Sequence, residues 1–131
     1  MAEHLTFHLV SPEKKLASLE AQTVGIPGIE GDMTLLPNHA DFLTTLRPGI
    51  IKIDAISGGQ DFVVTGGFVE VSGSVVTVLA EKAVLKVDAS KNLFEPFIAD
   101  AEEASKNATD KDKSRTDIRV NDLRAISDMF S

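Results

Sequence analysis

Residues Thr65 to Ala80 read TGGFVEVSGSVVTVLA, and they decide the fold class of this chain. Phe68-Val69-Glu70-Val71 and Val75-Val76-Thr77-Val78-Leu79-Ala80 are two β-branched, apolar runs, joined by Ser72-Gly73-Ser74. A short glycine-centred link between two such runs is the signature of a β-hairpin. Gly66-Gly67 stands just before the first run. It precedes no helix and contains no GxxxxGK[ST] pattern, so it is read as a bulge or sharp strand connection rather than a phosphate loop.

The same grammar extends towards the N-terminus. Ile51, Ile53 and Ala55 alternate with Lys52 and Asp54, and Ser57-Gly58-Gly59 leads into Asp61-Phe62-Val63-Val64. Leu5, Phe7 and Leu9 share one face of an alternating segment, and Leu19, Ala21, Val24 and Ile26 lead up to the turn PGIEG. All nine glycines lie in this part, at turns and strand ends. Many short strands with turns between them predict a sandwich or barrel over residues 1–87.

After Val87 the pattern changes. Leu93/Phe94, Phe97/Ile98, Ala101 and Ala104 recur at helical spacing. Asp88 or Ser90 is a candidate cap. Pro96 favours a late start near Phe94–Glu95, because proline disrupts a helix interior. Lys106 to Ser114 is read as a polar loop. Thr116 or Asp117 then opens a second helix with Ile118, Leu123, Ile126, Met129 and Phe130 on a ragged apolar stripe. Residues 88–131 hold seven Lys/Arg and ten Asp/Glu. Helices this short and charged are marginal alone, so the pair must lie on the β domain, on a partner, or move between them.

Composition excludes several functions. The 131 residues suit one domain or one domain with an appendage. A net charge of −7 argues against general nucleic-acid binding, which needs a basic face. With no cysteine there can be no disulfide, thiolate nucleophile or cysteine-based zinc site. MAEHLTFHLV lacks the basic and long apolar segments of a signal peptide, and no apolar run approaches the roughly 20 residues of a membrane span. A soluble, cytoplasmic protein is expected, able to dock on membrane-bound machinery.

Chemistry-bearing residues are sparse. Gly31 to Asp41, GDMTLLPNHAD, brings His39 and Asp41 close in sequence, but no GxSxG elbow accompanies them. His4 and His8 fall on one strand face without a nearby third ligand, and nothing has zinc or EF-hand spacing. The residues by themselves point to an interaction module rather than an enzyme.

Four ordered segments then resemble a known family. They are Gly31-Asp32-Met33-Thr34-Leu35-Leu36-Pro37-Asn38-His39-Ala40, Leu46-Arg47-Pro48-Gly49, Thr65-Gly66-Gly67-Phe68-Val69-Glu70-Val71 and Val76-Thr77-Val78-Leu79-Ala80-Glu81, behind an opening strand ending in Val10-Ser11-Pro12. Together they are similar to the ε-subunit family of the bacterial and chloroplast rotary ATP synthase. The mitochondrial counterpart is made with a transit peptide, so a bacterial source is expected. The resemblance implies an α+β fold: an N-terminal antiparallel β-sandwich of about ten strands, then a C-terminal antiparallel two-helix hairpin from residue 88. It implies a non-catalytic central-stalk rotor subunit of a proton-translocating ATP synthase. Such a subunit binds γ and the c-subunit ring, works with the α and β subunits of the head, and meets the membrane only through the complex, on the cytoplasmic side of the inner membrane.

The resemblance also assigns residues. Gly28, Ile29, Glu30, Gly31 and Asp32 would form the c-ring-facing loop, and Pro37, His39 and Ala40 would face γ. The tail would restrain ATP hydrolysis by extending towards β, with Lys111, Lys113, Arg115, Arg119 and Arg124 as the basic contacts; a merely solvated helix face is the alternative. Some relatives bind ATP on the folded hairpin through Ile/Leu-Asp-x-x-Arg-Ala. Here the stretch is Val120-Asn121-Asp122-Leu123-Arg124-Ala125. Arg124 and Ala125 match, but Asn121 replaces the aspartate and brings no charge, so no cofactor is expected. The rival readings are a stand-alone β-sandwich binding module whose tail senses a nucleotide, and an enzyme using His39 and Asp41.

Overall fold

The computed structural model describes residues 4–130. The reading of the extreme N-terminus falls partly on residues 1–3, outside the described residues. The chain forms two compact units, one ending at Lys86 and the other beginning at Val87.

The first unit holds ten strands. They are β1 (Leu5–Val10), β2 (Lys15–Ala21), β3 (Thr23–Gly28), β4 (Gly31–Leu35), β5 (Phe42–Leu46), β6 (Gly49–Asp54), β7 (Gln60–Val64), β8 (Gly67–Ser72), β9 (Val75–Ala80) and β10 (Ala83–Leu85). Hydrogen bonding follows the order β10-β7-β6-β3-β5-β8-β9-β1-β2, with β4 paired on β3. All pairs are antiparallel except β1 with β9, which run parallel. Passage from one half of this path to the other rests on a single pair, Gly28 with Leu46. That corner lets the path fold over into the two layers of a sandwich. One apolar cluster, with members from every strand, fills the interior.

The alternation legible in the sequence is the burial pattern. Leu5, Phe7 and Leu9 are fully buried, as are Val69, Val71, Val76 and Val78. The Ser72–Val75 pair closes the β8–β9 hairpin over Gly73 and Ser74, with Gly73 at φ 61°. Thr65-Gly66 forms the sharp β7–β8 connection. It is held because the Thr65 amide donates to the Lys82 carbonyl at 3.1 Å and the Glu81 amide donates to the Gly66 carbonyl at 3.0 Å. The buried Thr65 hydroxyl also donates to Glu81 Oε1 at 3.1 Å.

The second unit departs from expectation at both helix starts. Helix α1 spans Lys91–Asn107 and α2 spans Asp110–Asp128. The late start of α1 is therefore corrected. Ser90 occupies the cap position without a side-chain cap bond, and Pro96 sits inside the helix. As the sixth helical residue, the proline forfeits only the bond to the Asn92 carbonyl, just past the first turn, where backbone N–H groups have no intrahelical acceptor anyway. The expected polar loop over 106–114 is also corrected: only Ala108 and Thr109 separate the helices, and Thr109, not Thr116 or Asp117, takes the cap position. The stretch is polar but holds no glycine or proline. It is laced with helical-spacing contacts, Asn107 with Glu103, Arg115 with Asp112 and Lys113 with Asp117.

Candidate functional site

Three surfaces carry the residues singled out by sequence. The first is the β3–β4 hairpin. Gly28 pairs with Gly31 across a two-residue turn, leaving Ile29 and Glu30 exposed at its tip. A side chain at Gly28 would place its Cβ 2.8 Å from the Gly31 carbonyl oxygen, and Gly31 itself sits at φ 132°. Two glycines therefore fix a narrow, rigid tip that presents one apolar and one acidic side chain, with exposed Asp32 beside them.

The second surface is the 36–41 loop and the strand that follows it. Asn38 adopts φ 66°, a left-handed conformation that asparagine tolerates. The loop is stitched to the β8–β9 turn: the Gly73 amide donates to Asp41 Oδ1 at 2.7 Å, and the Asn38 amide donates to Ser74 Oγ at 3.4 Å. His39 Nδ1 lies 2.7 Å from the Ala40 carbonyl oxygen, and its ring packs on Phe42 with centroids 5.1 Å apart. Asp41 therefore ties down a turn rather than orienting His39 as a base. Pro37 and His39 are half-buried, and Ala40 is exposed.

Sequence reasoning missed what this loop leads into. Thr45 pairs with Phe68 and Phe68 with Leu79, so the outer faces of β5, β8 and β9 are contiguous. Leu43, Phe68 and Leu79 stand on that outer face at 68%, 53% and 52% exposure. Three large apolar side chains grouped on solvent are unusual for a monomer and mark a docking surface. The alternation itself held the signal, because Phe68 and Leu79 occupy outward positions of strands whose inward positions are already apolar.

The third surface is a groove of about 490 Å³ between α1 and α2, lined by residues that include Glu102, Ser105, Lys106, Lys113, Asp117, Asn121 and Arg124. Ala125 is exposed and lies outside this lining. The Ser105 hydroxyl donates to Asp117 Oδ1, and Lys113 Nζ donates to both Ser105 Oγ and the Ser105 carbonyl at 3.0 Å. Arg124 pairs with Glu102 across the helices. Hydrogen bonding from Ser105 holds the Asp117 carboxyl below its ordinary range; partial desolvation opposes this, and the Lys113 charge and hydrogen bond add to it. At about 100° per residue, Lys111, Arg115 and Arg119 fall on a different side of α2 from Lys113 and Arg124. The five basic residues thus do not form one stripe: Arg115 pairs with Asp112 on its own helix, whereas Lys113 and Arg124 face α1.

Other candidates separate. His4 pairs with Glu20, and His8 Nδ1 lies 3.1 Å from Ser18 Oγ. Among the described residues, no group of three or more His, Asp or Glu is placed to hold a metal ion. Likewise, no helix among them is long and apolar enough to cross a membrane.

A ten-strand sandwich with a glycine-tipped hairpin, an apolar outer face and a charged two-helix unit defines a docking protein built from a β module and a helical hairpin. Residues 4–86 match the family described as the ATP synthase delta/epsilon chain, β-sandwich domain, and the chain belongs to that family. Its relatives are similar over nearly their full length. The ATP synthase epsilon chain of Cereibacter sphaeroides is 44% identical over 126 residues, covering 96% of each chain. That of Fuscovulum blasticum is 46% identical, covering 96% of this chain and 95% of its own. Among solved structures, the Euglena gracilis mitochondrial ATP synthase, OSCP/F1/c-ring, contains a chain similar in fold, with a TM-score of 0.69 at 20% identity over 96% of this chain and 82% of that one. The central stalk/c-ring structure of the Tetrahymena thermophila mitochondrial enzyme gives 0.55 at 21% identity, over 64% and 68%.

Proposed function

We propose that the chain is a non-catalytic rotor subunit of a proton-translocating ATP synthase, held in the central stalk on the cytoplasmic side of the bacterial inner membrane. The sandwich docks on γ and on the c-subunit ring, passing ring rotation to the α/β head. The observation that carries this reading is the exposed Leu43–Phe68–Leu79 face. It lies on the one sheet half whose leading loop holds Pro37, His39 and Ala40, so this half is the γ side and His39 is a corner residue of the contact. Glu30 and Asp32 at the other tip suit polar loops of the ring. Exposed ion pairs contribute only about 0–1 kcal/mol each, so shape and apolar area carry the docking.

The hairpin restrains ATP hydrolysis by reaching towards the head, using Lys111, Arg115 and Arg119. It binds ATP weakly or not at all. Asn121 supplies no charge, and Lys113 and Arg124 already face internal carboxylates, so a nucleotide would have to displace them.

Co-purification tests the reading. The wild-type chain should bring down γ with α and β, and Phe68→Asp should fold but lose γ. Retention of γ by this variant would refute the assignment of the face. Micromolar ATP affinity by calorimetry would refute the reading of the groove.

A further inference from the structure

We propose that the helical hairpin carries an ionic latch, the Lys113–Ser105–Asp117 chain together with Arg124–Glu102, which sets how firmly α2 is held on α1 and releases it as ionic strength rises.

The argument starts from what else joins the helices. Phe94 on α1 and Ile126 on α2 are buried, and one apolar cluster between the helices has three further buried members, Ala101, Val120 and Leu123, with Phe97 and Ile98 partly buried against it. One of the three is an alanine. A stacked pair, Phe94 with Phe130 at 5.8 Å, lies at the end away from the loop. Towards the loop the apolar contacts give way to polar ones. Ser105, buried to 7% exposure, uses its hydroxyl in both senses, donating to Asp117 and accepting from Lys113. The Lys113 ammonium also donates to the Ser105 carbonyl in the last turn of α1, which accepts from the Ala108 amide as well. A cation from α2 thus meets the C-terminal turn of α1, and a carboxylate from the same helix accepts the serine hydrogen bond. Arg124–Glu102 adds a second cross-helix pair one turn further from the loop.

Each of these contacts is partly open to water: the Lys113 and Asp117 side chains are 51% and 50% exposed, and Arg124 and Glu102 are 54% and 48% exposed. Charge pairs in that setting are screened by salt, whereas the apolar cluster is not. The joint therefore has two components, of which only the ionic one weakens as salt rises. This device concerns the hairpin alone and does not depend on what the sandwich docks on.

The chain has no cysteine, so two can be introduced for spin labels. Ala99 on α1 and Ala125 on α2 are both exposed, and the labelled protein is the full chain carrying Ala99→Cys and Ala125→Cys. Raising salt from about 0.01 M to about 1 M shortens the screening length from roughly 30 Å to about 3 Å. The separated-label population should then grow by about threefold to tenfold. Ser105→Ala and Asp117→Asn, each combined with Glu102→Gln to remove the Arg124 pair as well, should produce that growth at low salt and leave little further response to added salt. Asp112→Asn, which breaks only a pair within α2, should behave as the parent. Amide exchange in β8 and β9, followed in the same samples, reports that the sandwich stays folded. A label distance unchanged by salt and by both latch variants would overturn the proposal. So would an equal response in Asp112→Asn.

Discussion

Gly67 shows how a single atom constrains the sandwich. A Cβ there would lie 2.2 Å from the Leu79 carbonyl oxygen and 2.9 Å from the Ala80 Cα, on a backbone at φ 147°. The obstacles are backbone atoms of the paired strand, so no side-chain rotation relieves the clash. Gly67→Ala should lower stability by about 2–4 kcal/mol, read as a fall in the urea midpoint at constant m-value. Asp117 is the second residue-scale case. Its folded-state pKa lies below the ordinary value of 3.8 because Ser105 and Lys113 favour the carboxylate, whereas the unfolded chain keeps that ordinary value. Its contribution is therefore complete above about 3.8 and is lost as pH falls through the lower folded value. The groups facing it are Ser105, Lys106 and Glu102 from α1 and Lys113, Asn121 and Arg124 from α2. An NMR titration of the Asp117 carboxyl should give a midpoint below 3.8. Ser105→Ala should move that midpoint upwards.

At the scale of elements, α1 is the informative case. Pro96 lies inside it on the exposed side, where proline forfeits one backbone bond and crowds the preceding turn. Pro96→Ala should restore the bond to the Asn92 carbonyl and stabilise the hairpin by about 1–3 kcal/mol, visible as slower amide exchange in the first half of α1. The strands behaved as their alternation indicates, because period-two burial is a local property of each run. The helix ends did not. Reading Pro96 as a start signal and Lys106–Ser114 as a loop treated composition as decisive. The cross-helix contacts of Lys113 with Ser105 bring a residue of that supposed loop into the hairpin joint.

At the scale of the molecule, the sandwich cluster is built wholly from residues between Leu5 and Leu85. Removing residues 88–131 should therefore leave a unit that unfolds in one cooperative transition and still binds γ, measured by urea denaturation and pull-down. A broad, non-cooperative transition would contradict this. The docking face also belongs to this scale. Leu43, Phe68 and Leu79 are far apart in the chain and meet only because β5, β8 and β9 lie side by side.

The sequence alone determined that the first part of the chain forms a β unit with an apolar interior and that a helical pair follows, since hydrophobic periodicity and glycine placement act over a few residues at a time. The ordered segments from Gly31 to Glu81 also carried the family. Only the tertiary structure decided which outward side chains group into a surface, that Asp41 ties a turn instead of serving His39, and that Lys113 and Arg124 turn inwards to α1. Those outcomes depend on strand order and helix packing, which bring together residues whose separation along the chain holds no trace of their neighbourhood in space.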